Sequence, residues 1–315
     1  MLPLVSVIMP TYNRLEFLRP ALDSLEAQTF THWELIVADD GSQPPTRAYL
    51  EQLAAPPRVR LIRMPHCGRP SVVRNAALRA ARGEYVAFLD SDDLWLPQKL
   101  ECQIASLRRH PQRRWSYTAF AVVDAAGSVR RAATADARQT APSGWILERI
   151  LNDETVIALP SVLVARQLLD ELGAFDEELT MCEDDELWLR LAAASEIDGV
   201  DAPLTLIRRH GQHAGDDATA WRDRHRVFEK ALRRNNDAHL APLLRRLRAE
   251  TAAGLARSQA AGALRLSALT TLASSAHYSW RYRRWWRGAA RTLAVALAPP
   301  ALRGLARRHR SAARP

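Results

Sequence analysis

Three carboxylates fall within four residues at Asp90-Ser91-Asp92-Asp93. Such crowding is costly unless a cation or solvent offsets the repulsion. Hard divalent cations take oxygen ligands, and Mg²⁺ commonly uses one or two carboxylates together with substrate phosphates. A cation held there would stabilise a departing diphosphate. The alternative for the same residues is a solvated loop that caps a helix. Asp39-Asp40-Gly41-Ser42 is a weaker signal, because Asp-Gly is a common turn pair. Glu183-Asp184-Asp185-Glu186 is either a solvated acidic face or the source of a general base. It abuts Leu187-Trp188-Leu189, and a carboxylate at the edge of a core can acquire a raised pKa. His210 follows Arg208-Arg209 and lies near His213, which taken alone suits a surface histidine.

These groups need elements to hold them. Leu4 to Met9 is short, apolar and β-branched, and reads as a buried strand that stops at Pro10. Leu15 to Gln28 carries Leu18, Leu22 and Leu25 at helical spacing. Strands are expected over Trp33–Ala38, Val59–Ile62 and Tyr85–Leu89, and helices over Arg47–Ala54 and Ser71–Arg82, the latter closed by Gly83. A further helix is expected after Pro97, to about Arg109. Strand and helix alternate through residues 1–110, which predicts a parallel sheet with helices on both faces. In such sheets ligands bind at the carboxyl ends of the strands, where Tyr12-Asn13, Asp39-Asp40 and Asp90 to Asp93 all fall. Beyond residue 110 the pattern predicts strands over Trp115–Val123, Leu159–Val164 and Ala202–Arg208, a turn at Ala125 to Ser128, a loop over 130–143 and a helix over Leu187–Ala194. From about Trp221 the pattern is helical.

Composition excludes several classes. The chain has 315 residues, 47% apolar and 25% charged, so neither a disordered nor a collagen-like chain fits. Its formal charge of +9 is uneven. No acidic residue follows Glu250, and taking away the 12 arginines of residues 251–315 leaves residues 1–250 at −3. The basicity therefore belongs to the tail, which argues against a nucleic-acid partner for the folded body. The tail mixes arginine with Trp280, Trp285 and Trp286, which suits an interfacial helix on an anionic membrane leaflet, or a helical hairpin packed on the remaining domain with its arginines in water. Cys67, Cys102 and Cys182 match neither a zinc site nor a disulfide framework. With no secretory leader and no long apolar run, the expected location is cytoplasmic, with the inner face of the membrane as the option if the tail binds lipid.

The ordered motifs resemble family 2 glycosyltransferases with the GT-A fold. They are Val5-Ser6-Val7-Ile8-Met9-Pro10-Thr11-Tyr12-Asn13-Arg14, Asp39-Asp40-Gly41-Ser42, Gly68 with Arg74-Asn75-Ala76-Ala77, and Gly83 through Asp93 to Pro97. Glu183-Asp184 with Leu187-Trp188-Leu189-Arg190, and Arg208-Arg209-His210-Gly211, complete the set. The resemblance covers about residues 4–215. It implies an α/β mixed sheet forming a catalytic domain over 1–220, with a nucleotide-binding half at 1–110 and an acceptor-binding half at 111–220. The helical extension is then 221–315.

The resemblance also implies an inverting, metal-dependent transfer from a nucleotide-sugar, UDP being the expected base, to a saccharide or lipid-linked acceptor. Pro10, Tyr12 and Asp40 would line the nucleoside pocket, and Arg74 would approach the diphosphate. Asp90 and Asp92 match an Asp-X-Asp motif, Asp92 being the expected ligand for Mn²⁺ or Mg²⁺, with Asp93 beside them. His210 matches a histidine that reaches the metal or diphosphate, Asp184 matches the catalytic base, and Glu183 would hold the acceptor or the base. Gly215, where the family often has Ser, departs from the pattern.

Rival readings remain. A nucleotidyltransferase would need a glycine-rich basic loop that residues 8–16 lack. A non-catalytic nucleotide- or carbohydrate-binding module is the other alternative. A processive polysaccharide synthase is disfavoured because no Gln-X-X-Arg-Trp motif is present.

Overall fold

A strand apolar on both faces is stable only where helices cover both sides of its sheet. That is how Val5-Ser6-Val7-Ile8-Met9 is used in the computed structural model, which describes residues 3–53, 57–128, 141–209, 217–262 and 264–297. Strands β1 (Val5–Thr11), β2 (Trp33–Asp39), β3 (Val59–Arg63) and β4 (Tyr85–Phe88) are mutually parallel where they pair. Helices α1 (Leu15–Glu26), α2 (Pro44–Leu53) and α3 (Pro70–Leu78) connect them. The chain continues through β5 (Leu94–Trp95), α4 (Lys99–Arg109), β6 (Trp115–Val123), α5 (Leu147–Leu151), β7 (Val162–Ala165), α6 (Arg166–Leu172), α7 (Glu183–Ala194) and β8 (Ile197–Arg208). The sheet order is β3-β2-β1-β4-β7-β6-β8-β5, with β7 antiparallel to both its neighbours.

Two apolar layers sandwich this sheet. Val5, Val7 and Met9 pack with Leu18 and Leu22 of α1, Leu50 of α2 and Leu100, Ile104 and Leu107 of α4. Ile8, Ile36 and Phe88 face the other way, toward Val73 and Ala77 of α3, Leu168 of α6 and Leu187 and Leu191 of α7. The result is the expected mixed α/β sheet with helices on both faces.

Several boundaries differ from the sequence expectation. Helix α3 stops at Leu78, and Gly83 is no helix cap: its N–H donates to Ser6 Oγ at 2.8 Å, joining the approach to β4 to β1. Leu159–Ser161 is a 3₁₀ turn rather than strand, because Pro160 lacks the N–H that a ladder needs; the strand begins at Val162. Helix α7 begins at Glu183, so the acidic run is its first turn, where carboxylates meet the positive end of the helix dipole. Strand β8 starts at Ile197, five residues early, and a register shift against β6 absorbs Pro203. Most of the 130–143 loop lies outside the described residues.

The chain divides into two compact units, Met1–Ala214 and Gly215–Pro315. The second holds α8 (Asp217–Arg234), α9 (Ala241–Ala261), α10 (Arg265–Ser279) and α11 (Arg283–Leu297). Helix α9 packs against the other three through small residues: Ala249, Ala253 and Ala256 meet Leu272, Trp285 and Ala289. Gly254 leaves room for the Trp221 ring, since a Cβ there would sit 2.3 Å from it. Among the described residues, no helix is long and apolar enough to cross a membrane.

Candidate functional site

Because β2, β1 and β4 are neighbours, the residues just past their carboxyl ends share one rim. A cleft of about 720 Å³ opens there, lined by Pro10, Tyr12, Asp40, Arg74, Asp90, Asp92, Asp93 and Asp184. The expected site residues within the described chain thus meet in one cleft, with Glu183 directly behind. His210 lies outside the described residues.

One end of the cleft is aromatic. The Tyr12 ring stacks on His66, centroids 4.0 Å apart at 15°. Asp40 organises the segment that carries His66. Its Oδ1 accepts from the Cys67 N–H at 2.8 Å, its Oδ2 accepts from the Gly68 N–H at 2.9 Å, and His66 Nδ1 lies 2.9 Å from Oδ2. The preceding turn needs Gly41: its φ is +77°, and a Cβ there would come within 2.8 Å of the His66 nitrogen. Asn13 ties the loops after β1 and β2 together, its N–H donating to Ser42 Oγ at 2.9 Å and its Oδ1 accepting from the Gln43 N–H at 2.7 Å.

The middle of the cleft is charged. Asp90 to Asp93 form a turn in which the Asp93 N–H donates to the Asp90 carbonyl at 3.1 Å. Arg14 forms an ion pair with Asp92. Arg74, buried on α3, donates from Nη2 to Asp90 at 2.8 Å and from Nη1 to Glu183 at 2.6 Å. Burial opposes its charge, but Asp90 and then Glu183 more than offset this and raise its pKa. Arg74 Nε has no hydrogen-bond partner among the described residues. Asp93 is buried and accepts the Arg208 N–H at 2.8 Å, while Arg208 Nε donates to the Asp92 carbonyl at 2.9 Å. Burial first, then Asp90 and Asp92, push the Asp93 pKa well above the carboxylate range.

The far wall is the start of α7. Asn75 holds the approach to it: its Nδ2 donates to the Phe175 carbonyl at 2.8 Å and its Oδ1 accepts from the Phe175 N–H at 3.0 Å. Ser71 Oγ donates to the Leu179 carbonyl at 3.1 Å. Helix α3 therefore sets where Glu183 and Asp184 stand. Half-buried Asp184 has its pKa pushed up to about 8, by burial first and then by Asp185 and Glu183, against the pull of Arg74. A carboxyl so tuned takes up protons near neutral pH.

The donor set suits a hard cation. Asp90 and Asp92 offer oxygen ligands only, and guanidinium groups already sit against both, so this turn draws positive charge. The described residues hold no ready cluster of three or more His, Cys, Asp or Glu groups around one point. A site completed by substrate phosphates fits this arrangement better than a closed protein cage.

Arg14, His66 and Arg69 also line the cleft and Arg208 braces the Asp90–Asp93 turn, roles not expected from the sequence. Arg14 follows a polar strand end and Arg69 stands immediately before α3, so position carried a signal for both. His66 and Arg208 act through partners far along the chain, which spacing cannot reveal.

Residues 6–131 match the family model described as glycosyl transferase family 2. An Escherichia coli relative, UDP-Glc:alpha-D-GlcNAc-diphosphoundecaprenol beta-1,3-glucosyltransferase WfgD, is 38% identical over 107 residues, covering 34% of this chain and 42% of the relative. The chain spans about two fifths of the length of such curated relatives. Among solved structures, S. aureus TarS 1–349 in complex with UDP-GlcNAc is similar at a TM-score of 0.64 and 20% identity, covering 93% of this chain and 81% of that one. The mannosyltransferase PcManGT from Pyrobaculum calidifontis, in complex with GDP-Man and Mn²⁺, is similar at a TM-score of 0.61 and 20% identity, covering 94% and 86%. These likenesses identify the fold as GT-A.

Proposed function

We propose, from the match of residues 6–131 to the glycosyl transferase family 2 model, that the chain is a member of this family and moves a sugar from a nucleotide-sugar to a hydroxyl acceptor with inversion at the anomeric carbon. The donor in this reading is a UDP-sugar, and the acceptor a cell-envelope glycan or lipid-linked saccharide. The E. coli relative's name, which pairs UDP-Glc with a diphosphoundecaprenol acceptor, supports both choices.

The observation that carries the reading is one cleft that holds Tyr12 and Asp40, the Asp90–Asp93 turn and Asp184. The nucleoside would occupy the Tyr12–His66 end. Asp184 accepts the proton of the acceptor hydroxyl, whose oxygen attacks the anomeric carbon. The bond to the diphosphate breaks on the opposite face, and the nucleoside diphosphate leaves with the electron pair. Glu183 and Arg74 hold the first turn of α7 against the Asp90 turn, so base and leaving group keep a fixed relation. Asp92, with Asp90 and His210, would hold a divalent metal, Mn²⁺ or Mg²⁺, which when bound offsets charge on the departing diphosphate.

A positioned base contributes about 10²- to 10⁴-fold. Asp184→Asn should therefore lose that much sugar transfer while its calorimetric affinity for UDP stays within a few-fold. A variant that transfers sugar at the unaltered rate would remove Asp184 from the role.

A further inference from the structure

Helix α11 has one face more than its bundle needs. Trp285, Ala289, Thr292 and Ala296 form its buried stripe, and the Trp285 Nε1–H donates to Ser275 Oγ at 3.1 Å. A second stripe is apolar yet exposed. Trp286, Ala290, Leu293 and Leu297 follow at steps of four, three and four, which places them along one side of a helix. Trp286 is 55% exposed, Leu293 39% and Leu297 71%. Trp280, 56% exposed, stands beside this stripe: its carbonyl accepts the Trp286 Nε1–H at 2.8 Å. On the other flank Arg283, Arg287 and Arg291 recur every four residues, all exposed.

A tryptophan-and-leucine stripe bordered by arginine is the pattern of a helix lying in a lipid–water interface. Charge argues for this occupant over a second copy of the chain. No acidic residue follows Glu250, so two such faces brought together would oppose arginine with arginine and find no carboxylate on α10 or α11. An anionic leaflet supplies the missing counter-charge. Length argues for lying along the surface. The 15 described residues of α11 span about 22 Å, short of the roughly 30 Å hydrocarbon core.

We propose that this face of α11 docks on an anionic membrane surface, with Trp286, Leu293 and Leu297 at the headgroup–acyl boundary and Arg283, Arg287 and Arg291 against lipid phosphates. The inference goes beyond the transfer reaction and does not rest on it.

The test is flotation of the full chain with vesicles of phosphatidylcholine alone or with added phosphatidylglycerol. Two double variants accompany it, Trp286→Ser with Leu293→Ser, and Arg287→Gln with Arg291→Gln. Both alter exposed side chains, and unchanged circular-dichroism melting identifies variants that remain folded. The unaltered chain should float with the phosphatidylglycerol vesicles, and its tryptophan emission should shift to the blue. Removing two arginines should lower the partition about tenfold to thirtyfold, and the apolar pair should abolish the emission shift. Equal partition of all three proteins would overturn the proposal, as would equal binding of the unaltered chain to neutral and anionic vesicles. A concentration-dependent dimer that the apolar pair dissolves, with no vesicle binding, would give the face to a second copy and overturn it too.

Discussion

At Asp184 burial works against charge, and this fixes two pH dependences. Its pKa is pushed up to about 8, from a usual value of 3.8, with burial the largest cause. A base acts deprotonated, so the acidic limb of kcat/KM should rise through about pH 8 and level off above it. Stability runs the other way. Between pH 3.8 and about 8 the native state holds a proton that the unfolded chain has released, so stability falls as pH rises across that window. Below 3.8 both states are protonated and the contribution is complete. Asp184→Asn removes the titration. The variant should melt close to the unaltered protein at pH 4 and above it at pH 9, by more than about 1 kcal/mol in stability. A melting difference that stays constant from pH 4 to 9 would show that burial does not govern this carboxyl. The residue expected to cost activity when changed is thus expected to gain stability.

At the scale of elements, α3 positions the far wall. Asn75 grips both the N–H and the carbonyl of Phe175, and Ser71 grips Leu179, so the segment before α7 is pinned at two points. Asn75→Ala leaves buried backbone groups unpaired, at a cost of about 1–3 kcal/mol each. It should lower the denaturant midpoint and reduce kcat, since Asp184 then stands on a looser support, while UDP affinity, set at the opposite end of the cleft, holds. An equal loss of UDP affinity would mean the whole cleft had shifted. The elements legible in sequence were those with strong periodicity and clear punctuation, notably β1, β2, β4 and α1. Strand β5, two residues long, and β8, which carries Gly199 and Pro203 through a register shift, follow pairing that forms only in the folded sheet. The acidic turn of α7 escaped because a charge run reads as solvated face, although the helix dipole favours carboxylates there. The cleft itself was legible because strand order brings three polar strand ends together. Its arginine partnerships were not, since Arg14 meets Asp92, and Arg74 meets Glu183, only across folded space.

At the scale of the whole molecule, net charge misleads about the ligand. The chain carries +9, which would by itself favour any polyanion, yet residues 1–250 sum to −3 once the 12 tail arginines are set aside. The cleft follows the body rather than the tail: Asp40, Asp90 and Asp92 line it against Arg14, Arg69 and Arg74, while burial favours the protonated forms of Asp93 and Asp184. A nucleoside diphosphate entering alone adds negative charge beside those carboxylates, and the two nearest arginines are already committed to Asp92 and Asp90. A divalent ion entering with it reverses that balance. UDP without metal should therefore raise the melting temperature little. UDP with Mn²⁺ at about a hundred times Kd should stabilise by about 2.7 kcal/mol, a shift of several degrees. Chelation should return the protein to its starting melting temperature, and Asp92→Asn should erase the metal-dependent part while leaving the response to UDP alone. Equal shifts with and without Mn²⁺ would mean that Arg14 and Arg74 release their carboxylates and carry the diphosphate themselves, and the metal would leave the mechanism.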